Sequence, residues 1–169
     1  MIVCDREVIW QLVTQRYCTL SRVPLNLYQR RVQDFTRSVL REAMIRVLIV
    51  DDSRVTRRLL GSVLKCDGYA VDEAEDGLDA LEKLAAIKTD LIIADLNMPN
   101  MDGVTFVRNV RGTPYVRAIP IVMLTVSSDK CLREEAIAAG TDVFMTKPVK
   151  PGRLLATVKS LLKENPNGE

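Results

Sequence analysis

The fold turns on one stretch, Asp90-Leu91-Ile92-Ile93-Ala94-Asp95-Leu96-Asn97-Met98-Pro99. Its apolar part is short, contains two β-branched isoleucines, and is bounded by Asp90 and Pro99. A run of that kind reads as a buried strand rather than a helix. Asp95 then stands at the carboxyl end of the strand, the edge at which open α/β sheets bind ligands. Two other apolar runs end in the same way. Leu48-Ile49-Val50 leads into Asp51-Asp52, and Ile121-Val122-Met123-Leu124 leads into Thr125. Three strands thus end in residues of the kinds that handle phosphate and a hard cation.

Outward from this stretch the pattern alternates between strand and helix. Arg46–Val50 reads as a strand, and Asp52 or Ser53 caps a helix carrying Val55, Leu59, Leu60, Val63 and Leu64 that stops near Asp67-Gly68. Tyr69–Ala74 is half-polar, as an edge strand would be. Asp76-Gly77 opens a helix with Leu78, Leu81, Leu84 and Ala85, and the strand Leu91–Ala94 follows. Asp102-Gly103 leads into a helix with Val104, Phe106, Val107 and Val110. Strand Ile119–Leu124, helix Cys131–Ala139 and strand Asp142–Met145 come next. Pro151 suits the first turn of a last helix bearing Leu154, Leu155, Val158, Leu161 and Leu162. Five strands alternating with five helices predict an α/β, doubly wound, five-stranded parallel sheet over residues 44–169.

Residues 1–43 differ in composition. They hold seven Arg and no Lys against four acids, a net of +3, while residues 44–169 carry a net of −1. Ile9, Leu12, Val13, Tyr17 and Leu20 fit one helical face; Tyr28, Val32, Phe35 and Val39 fit a second. This segment reads either as a weakly ordered N-terminal extension or as a helical arm. Met44 is a sensible start for the domain behind it. Its positive charge is diluted by Asp5, Glu7, Asp34 and Glu42, which argues against nucleic-acid binding.

Composition excludes several classes of function. The 169 residues are 47% hydrophobic with a net charge of +2, so a folded core is expected, and nothing in the charge calls for nucleic acid or membrane. No apolar run approaches the ~18 residues of a membrane span, and no signal peptide is evident. Four cysteines without CxxC spacing and no histidine make a zinc site improbable and leave a cytoplasmic protein with free thiols as the simplest reading. The missing histidine also removes Ser-His and Cys-His nucleophile pairs. Any phosphate on this chain must come from a partner or a small donor.

The chain resembles the receiver domains of two-component response regulators, most closely the CheY-like single-domain type. The resemblance spans about residues 45–165. It rests on Asp51-Asp52 after the first strand, Asp95 after the third, and Met98-Pro99 with Asp102-Gly103 beyond it. Thr125 after the fourth strand and Lys147-Pro148 after the fifth complete the set. Each motif is weak alone; in this order, each at its own strand end, they are specific.

What the resemblance implies is concrete. The fold would be flavodoxin-like with strand order 2-1-3-4-5. Asp95 would accept a phosphoryl group from a histidine kinase. Asp52 and Asp95 would bind Mg²⁺ directly, Asp51 through water, and the backbone carbonyl of Asn97 would add a ligand. Three carboxylates carry a charge that Mg²⁺ and Lys147 together neutralise, and without metal at least one carboxylate pKa should rise. The Lys147-Pro148 bond would be cis. Thr125 and Phe144 would form the switch pair, with Phe144 lacking the hydroxyl of the tyrosine common at that place. Asn97 and Ser127 occupy the positions that tune loss of the phosphate, and Val126 replaces a usual small residue.

The expected function is that of a stand-alone phosphoryl acceptor that signals by binding protein, with the flagellar motor switch of a chemotaxis pathway as the leading target. An intermediate in another phosphorelay comes second. A haloacid-dehalogenase-type phosphatase also places an aspartate after a parallel strand, but it needs Asp where this chain has Asn97. Only about twenty residues follow Lys147-Pro148, so no DNA-binding output domain is expected.

Overall fold

The structure, a computed structural model, describes residues 44–126 and 130–164. Five strands, β1 (Arg46–Val50), β2 (Ala70–Ala74), β3 (Leu91–Asp95), β4 (Ile121–Thr125) and β5 (Val143–Thr146), alternate with five helices. The helices are α1 (Arg54–Cys66), α2 (Gly77–Ala86), α3 (Gly103–Gly112), α4 (Lys130–Ala138) and α5 (Pro151–Glu164). All strand pairings are parallel and the order is β2-β1-β3-β4-β5. The predicted sheet and its order are therefore observed. Residues 1–43 and Ser127, with the expectations placed on them, lie outside the described residues.

The three central strands, β1, β3 and β4, are buried on both faces, which is why they read as continuous apolar runs, while the edge strands β2 and β5 are only partly buried. Alternate side chains divide between two cores. Leu48, Val50, Ile92, Ala94, Ile121 and Met123 face Ala80 and Leu84 of α2, Val104, Phe106, Val107 and Val110 of α3, and Ala136 of α4. Val47, Ile49, Leu91, Ile93, Val122 and Leu124 face Leu60 and Leu64 of α1 and Leu154, Val158 and Leu161 of α5. Truncating any one of the fully buried isoleucines, such as Ile93, to alanine should cost about 2–5 kcal/mol.

Helix starts follow the sequence signals. Ser53, not Asp52, caps α1 through its hydroxyl to the Thr56 N–H. Asp76 caps α2 and Asp102 caps α3 through their carboxylates. Left-handed glycines follow two helix ends, Gly68 at φ +94° and Gly140 at φ +107°. Strand and helix limits differ from the expected ones by one or two residues: β4 starts at Ile121 rather than Ile119, where the chain leaves Pro120. The larger departure is on helix faces. Val55 and Leu59 on α1 and Leu78 on α2 are exposed, at 74%, 57% and 51%. Helical periodicity placed them with their buried neighbours, but a helix on a sheet covers only a narrow stripe, and these three lie outside it.

Candidate functional site: an acidic cluster bridged by lysine

Parallel pairing carries four strand ends to one edge. Val50 is level with Ala94, Asp95 with Leu124, and Thr125 with Thr146. The residues just beyond or at those ends are Asp51, Asp52, Asp95, Thr125 and Lys147. In this order the direction in which successive strands are added reverses between β1 and β3, the switch point at which open α/β sheets bind ligands. The Lys147 N–H donates to the Thr125 carbonyl at 2.8 Å, extending the β4–β5 ladder by one bond before the Lys147–Pro148 peptide, which is cis.

One carboxylate oxygen from each of Asp51, Asp52 and Asp95 lies within 4.8 Å of the others. Asp51 is fully buried, Asp95 is nearly so, and Asp52 is exposed. The Lys147 ammonium bridges the two buried ones, at 2.7 Å from Asp51 Oδ2 and 2.9 Å from Asp95 Oδ2. The remaining oxygens are also engaged: Asp51 Oδ1 accepts from the Ser53 N–H at 2.9 Å, and Asp95 Oδ1 from the Leu96 N–H at 2.8 Å. Both aspartates are thus fixed by their own turns, as short acidic side chains at strand ends are.

The charge balance is incomplete. Three carboxylates against one ammonium leave a surplus of two negative charges in a partly dry crevice. Burial pushes the Asp95 carboxyl above the usual carboxylate range; the Lys147 hydrogen bond and charge oppose this, and the Asp51 charge adds to it. The direction is the one expected without metal, but the main cause is burial rather than crowding of like charge. For Lys147 burial acts to lower the pKa, yet its bonds to Asp51 and Asp95 outweigh that and raise it. An all-oxygen donor set with a surplus of two charges fits a hard divalent cation such as Mg²⁺.

Thr125 is buried at the end of β4. It pairs with Thr146, so Phe144, two residues earlier on β5, projects to the same face as Thr125. Phe144 is half-buried against the α2–α4 core, with the Arg133 guanidinium 5.9 Å from its ring centroid. Asn97 is exposed in the loop after β3, and Val126 is 70% exposed just beyond Thr125. All expected site residues are therefore at one edge, with Phe144 one step down its strand.

Two further residues shape this edge: Arg57, which no motif in the sequence marks, and Gly103, which belongs to the Asp102-Gly103 motif. Arg57 of α1 donates through one nitrogen to the carbonyls of Asp51 and Asp52, at 2.5 and 3.2 Å, and its Nε lies 3.5 Å from Glu73 of β2. It holds the backbone of the acidic loop from behind. Gly103 starts α3 where the chain crosses back over Asp95; a Cβ there would stand 2.5 Å from the Asp95 carbonyl oxygen. Gly103 is marked in the sequence by its motif, whereas the role of Arg57, one turn into α1, emerges only from the way α1 crosses the acidic loop.

The model of the response regulator receiver domain matches residues 47–159. The transcriptional regulatory protein ResD of Bacillus subtilis is 40% identical over 118 residues, 70% of this chain and 48% of ResD. The response regulator MprA of Mycobacterium tuberculosis is 36% identical over 119 residues, 51% of its length. This chain spans about half the length of these curated relatives. Among solved structures, the chemotaxis response regulator CheY4 of Vibrio cholerae is 39% identical with a TM-score of 0.67, covering 70% of this chain and 99% of that one. A receiver domain of a signal transduction histidine kinase from Syntrophus aciditrophicus is 36% identical with a TM-score of 0.69, covering 73% and 94%. Sequence, strand order and strand-end residues agree: the chain belongs to the response regulator receiver domain family.

Proposed function

We propose that this receiver accepts a phosphoryl group from a histidine kinase on Asp95, with Mg²⁺ held by Asp51, Asp52, Asp95 and the Asn97 carbonyl, and signals by phosphorylation-dependent binding to another protein. The observation that carries this reading is the Lys147 ammonium set between Asp51 and Asp95, with Asp52 alongside. Phosphoryl transfer asks mainly for positioning and for neutralisation of charge on the moving group. The Leu96 N–H and the Lys147 ammonium, at 2.8 and 2.9 Å, fix the direction of the Asp95 carboxylate. In the step, a carboxylate oxygen of Asp95 bonds to phosphorus while the phosphorus–nitrogen bond of the donor histidine breaks. The nitrogen leaves with the electron pair and takes up a proton. Mg²⁺ held by these carboxylates would supply further charge neutralisation for the moving group. Lys147 then faces a phosphoryl oxygen in place of a carboxylate, and the Thr125 hydroxyl is at hand to donate to another. Movement of Thr125 toward the site frees space for the Phe144 ring, which couples the site to the α4–β5–α5 face.

For the downstream target, chemotaxis leads. The supporting fact is the likeness to CheY4, nearly all of whose length is covered. In that reading the receiver works alone in the cytoplasm; no helix among the described residues is long and apolar enough to cross a membrane. The likeness to ResD, a transcriptional regulatory protein, favours a second reading in which the receiver controls transcription. Titration of the full chain with a peptide from the N-terminus of a flagellar motor switch protein separates the two. Affinity should rise about tenfold, or about 1.4 kcal/mol of coupling, when Mg²⁺ and the phosphoryl mimic beryllofluoride are added. Equal or absent binding with the mimic bound at Asp95 would overturn the chemotaxis reading.

A further inference from the structure

The loop between Asp95 and α3 is closed at both ends. At its base the Gly103 N–H donates to the Leu96 carbonyl at 2.9 Å, and the Leu96 N–H to the Leu124 carbonyl at 2.9 Å. At its tip Asn100 adopts φ +62°, alone among the described non-glycine residues. Its side-chain Nδ2 donates to Asp76 Oδ2 at 2.7 Å, across 24 residues of sequence. A carboxylate only accepts, so the amide nitrogen must face it. The other oxygen of Asp76 accepts from the Asp79 N–H at 2.9 Å and so caps α2. Next to this bond Met101 fills the space beside Gly77, where a Cβ would stand 2.8 Å from the Met101 sulfur. The tip of the loop is thus pinned to the start of α2 by a hydrogen bond from a nearly buried carboxylate and by a close van der Waals contact. Asn97, Met98 and Pro99 lie between the two anchored ends.

We propose that Asn100 and Asp76 are positioning residues whose hydrogen bond sets the Mg²⁺ affinity of the acidic site by holding the Asn97 segment in place. The inference rests on the reading of the Asn97 carbonyl as a metal ligand. The physical reason is the strictness of Mg²⁺, which demands near-octahedral oxygen geometry and gives up its water reluctantly. A backbone ligand on a loop anchored only at its base must be ordered when the ion binds; one anchored at base and tip is ordered beforehand. The choice of residue at 100 fits this role. Glycine would take the left-handed conformation with less strain than asparagine, but it could not reach Asp76.

Two substitutions break the bond while sparing the local structure. Asn100→Gly keeps the turn, and Asp76→Ser keeps an α2 cap. Mg²⁺ binding to the full chain is measured by isothermal titration calorimetry for the parent, both single variants and the double variant, with metal-free thermal unfolding of each. Each single variant should bind Mg²⁺ three- to tenfold more weakly, and the double variant no more weakly than the weaker single, because both remove the same bond. Asn100→Gly should melt near the parent; if Asp76→Ser does not fold, Asn100→Gly decides the question alone. Variants that bind like the parent, or losses that multiply in the double, would overturn the proposal and leave the metal site standing. A parent that binds no Mg²⁺ would remove the metal reading and the proposal together.

Discussion

Lys147 and Asp51, 96 residues apart in the chain, are joined by a 2.7 Å ion pair across the carboxyl edge of the sheet, with the Asp51 side chain fully buried. A buried carboxylate without its partner is costly, so Lys147→Met should destabilise the metal-free protein by about 3–5 kcal/mol at neutral pH. A divalent cation replaces part of the missing charge. Urea unfolding with and without Mg²⁺ should show the deficit shrinking when the ion is present. A deficit that Mg²⁺ leaves untouched would mean that Lys147 stabilises by packing alone.

Asp95 gives a stability prediction of opposite sign. Its folded-state pKa is raised, chiefly by burial, so the ionised form is less welcome in the fold than in the unfolded chain. A raised carboxyl pKa adds stability at low pH, and that contribution is lost as pH rises through the folded value. Asp95→Asn should therefore melt a few degrees above the metal-free parent at pH 7. The gap should close as pH falls below the folded pKa of Asp95. Added Mg²⁺ should reverse the order, since it stabilises only the chain that binds it well.

Asp102 behaves in the ordinary way. Its bond from the Thr105 N–H is the first cause of a pKa lowered below the usual carboxylate range, against an opposing burial effect. A lowered carboxyl pKa contributes stability that is complete above the unfolded value and is lost as pH falls through the folded one. Loss of the cap in Asp102→Ala should cost about 1 kcal/mol at pH 7. Parallel urea titrations down the carboxylate range should show parent and variant converging; a constant difference would point away from the charged cap.

Val55 and Leu59 stand exposed one turn apart on α1, directly after the acidic loop. If Asp95 accepts phosphate as proposed, exposed apolar side chains of that size on the helix that follows the acidic loop are suited to contact a macromolecular phosphodonor. Replacing both with serine should slow phosphotransfer from the kinase tenfold or more. The rate from a small donor such as acetyl phosphate should change less than twofold, because that molecule needs no helix face. Equal slowing with both donors would place the effect at the site instead.

The sequence carried the sheet and the acidic edge because both depend on local signals. Leu91–Asp95 is apolar, β-branched and bounded, so its strand and the place of Asp95 at its end are dictated within ten residues. Asp51 follows from the same logic at β1, whereas Lys147 is legible only through the resemblance to receiver domains. What stayed hidden depends on how segments cross. Arg57 reaches back to the Asp51 and Asp52 carbonyls, and Asn100 reaches Asp76; neither contact has a periodicity or a motif. Val55, Leu59 and Leu78 stand exposed although they share the apolar spacing of their helices. Helical spacing reports an apolar stripe, but its usable width is set by the sheet beneath it, which no single helix encodes.

The most direct test of the central claim is the mass of the intact chain after incubation with a small phosphodonor and Mg²⁺, followed by peptide mapping under conditions that preserve acyl phosphates. One phosphoryl group on Asp95, absent when Mg²⁺ is chelated and absent in Asp95→Asn, is the predicted result. No adduct, or an adduct that forms as readily without Mg²⁺ or on another residue, would contradict the assignment of Asp95 as a metal-dependent phosphoryl acceptor.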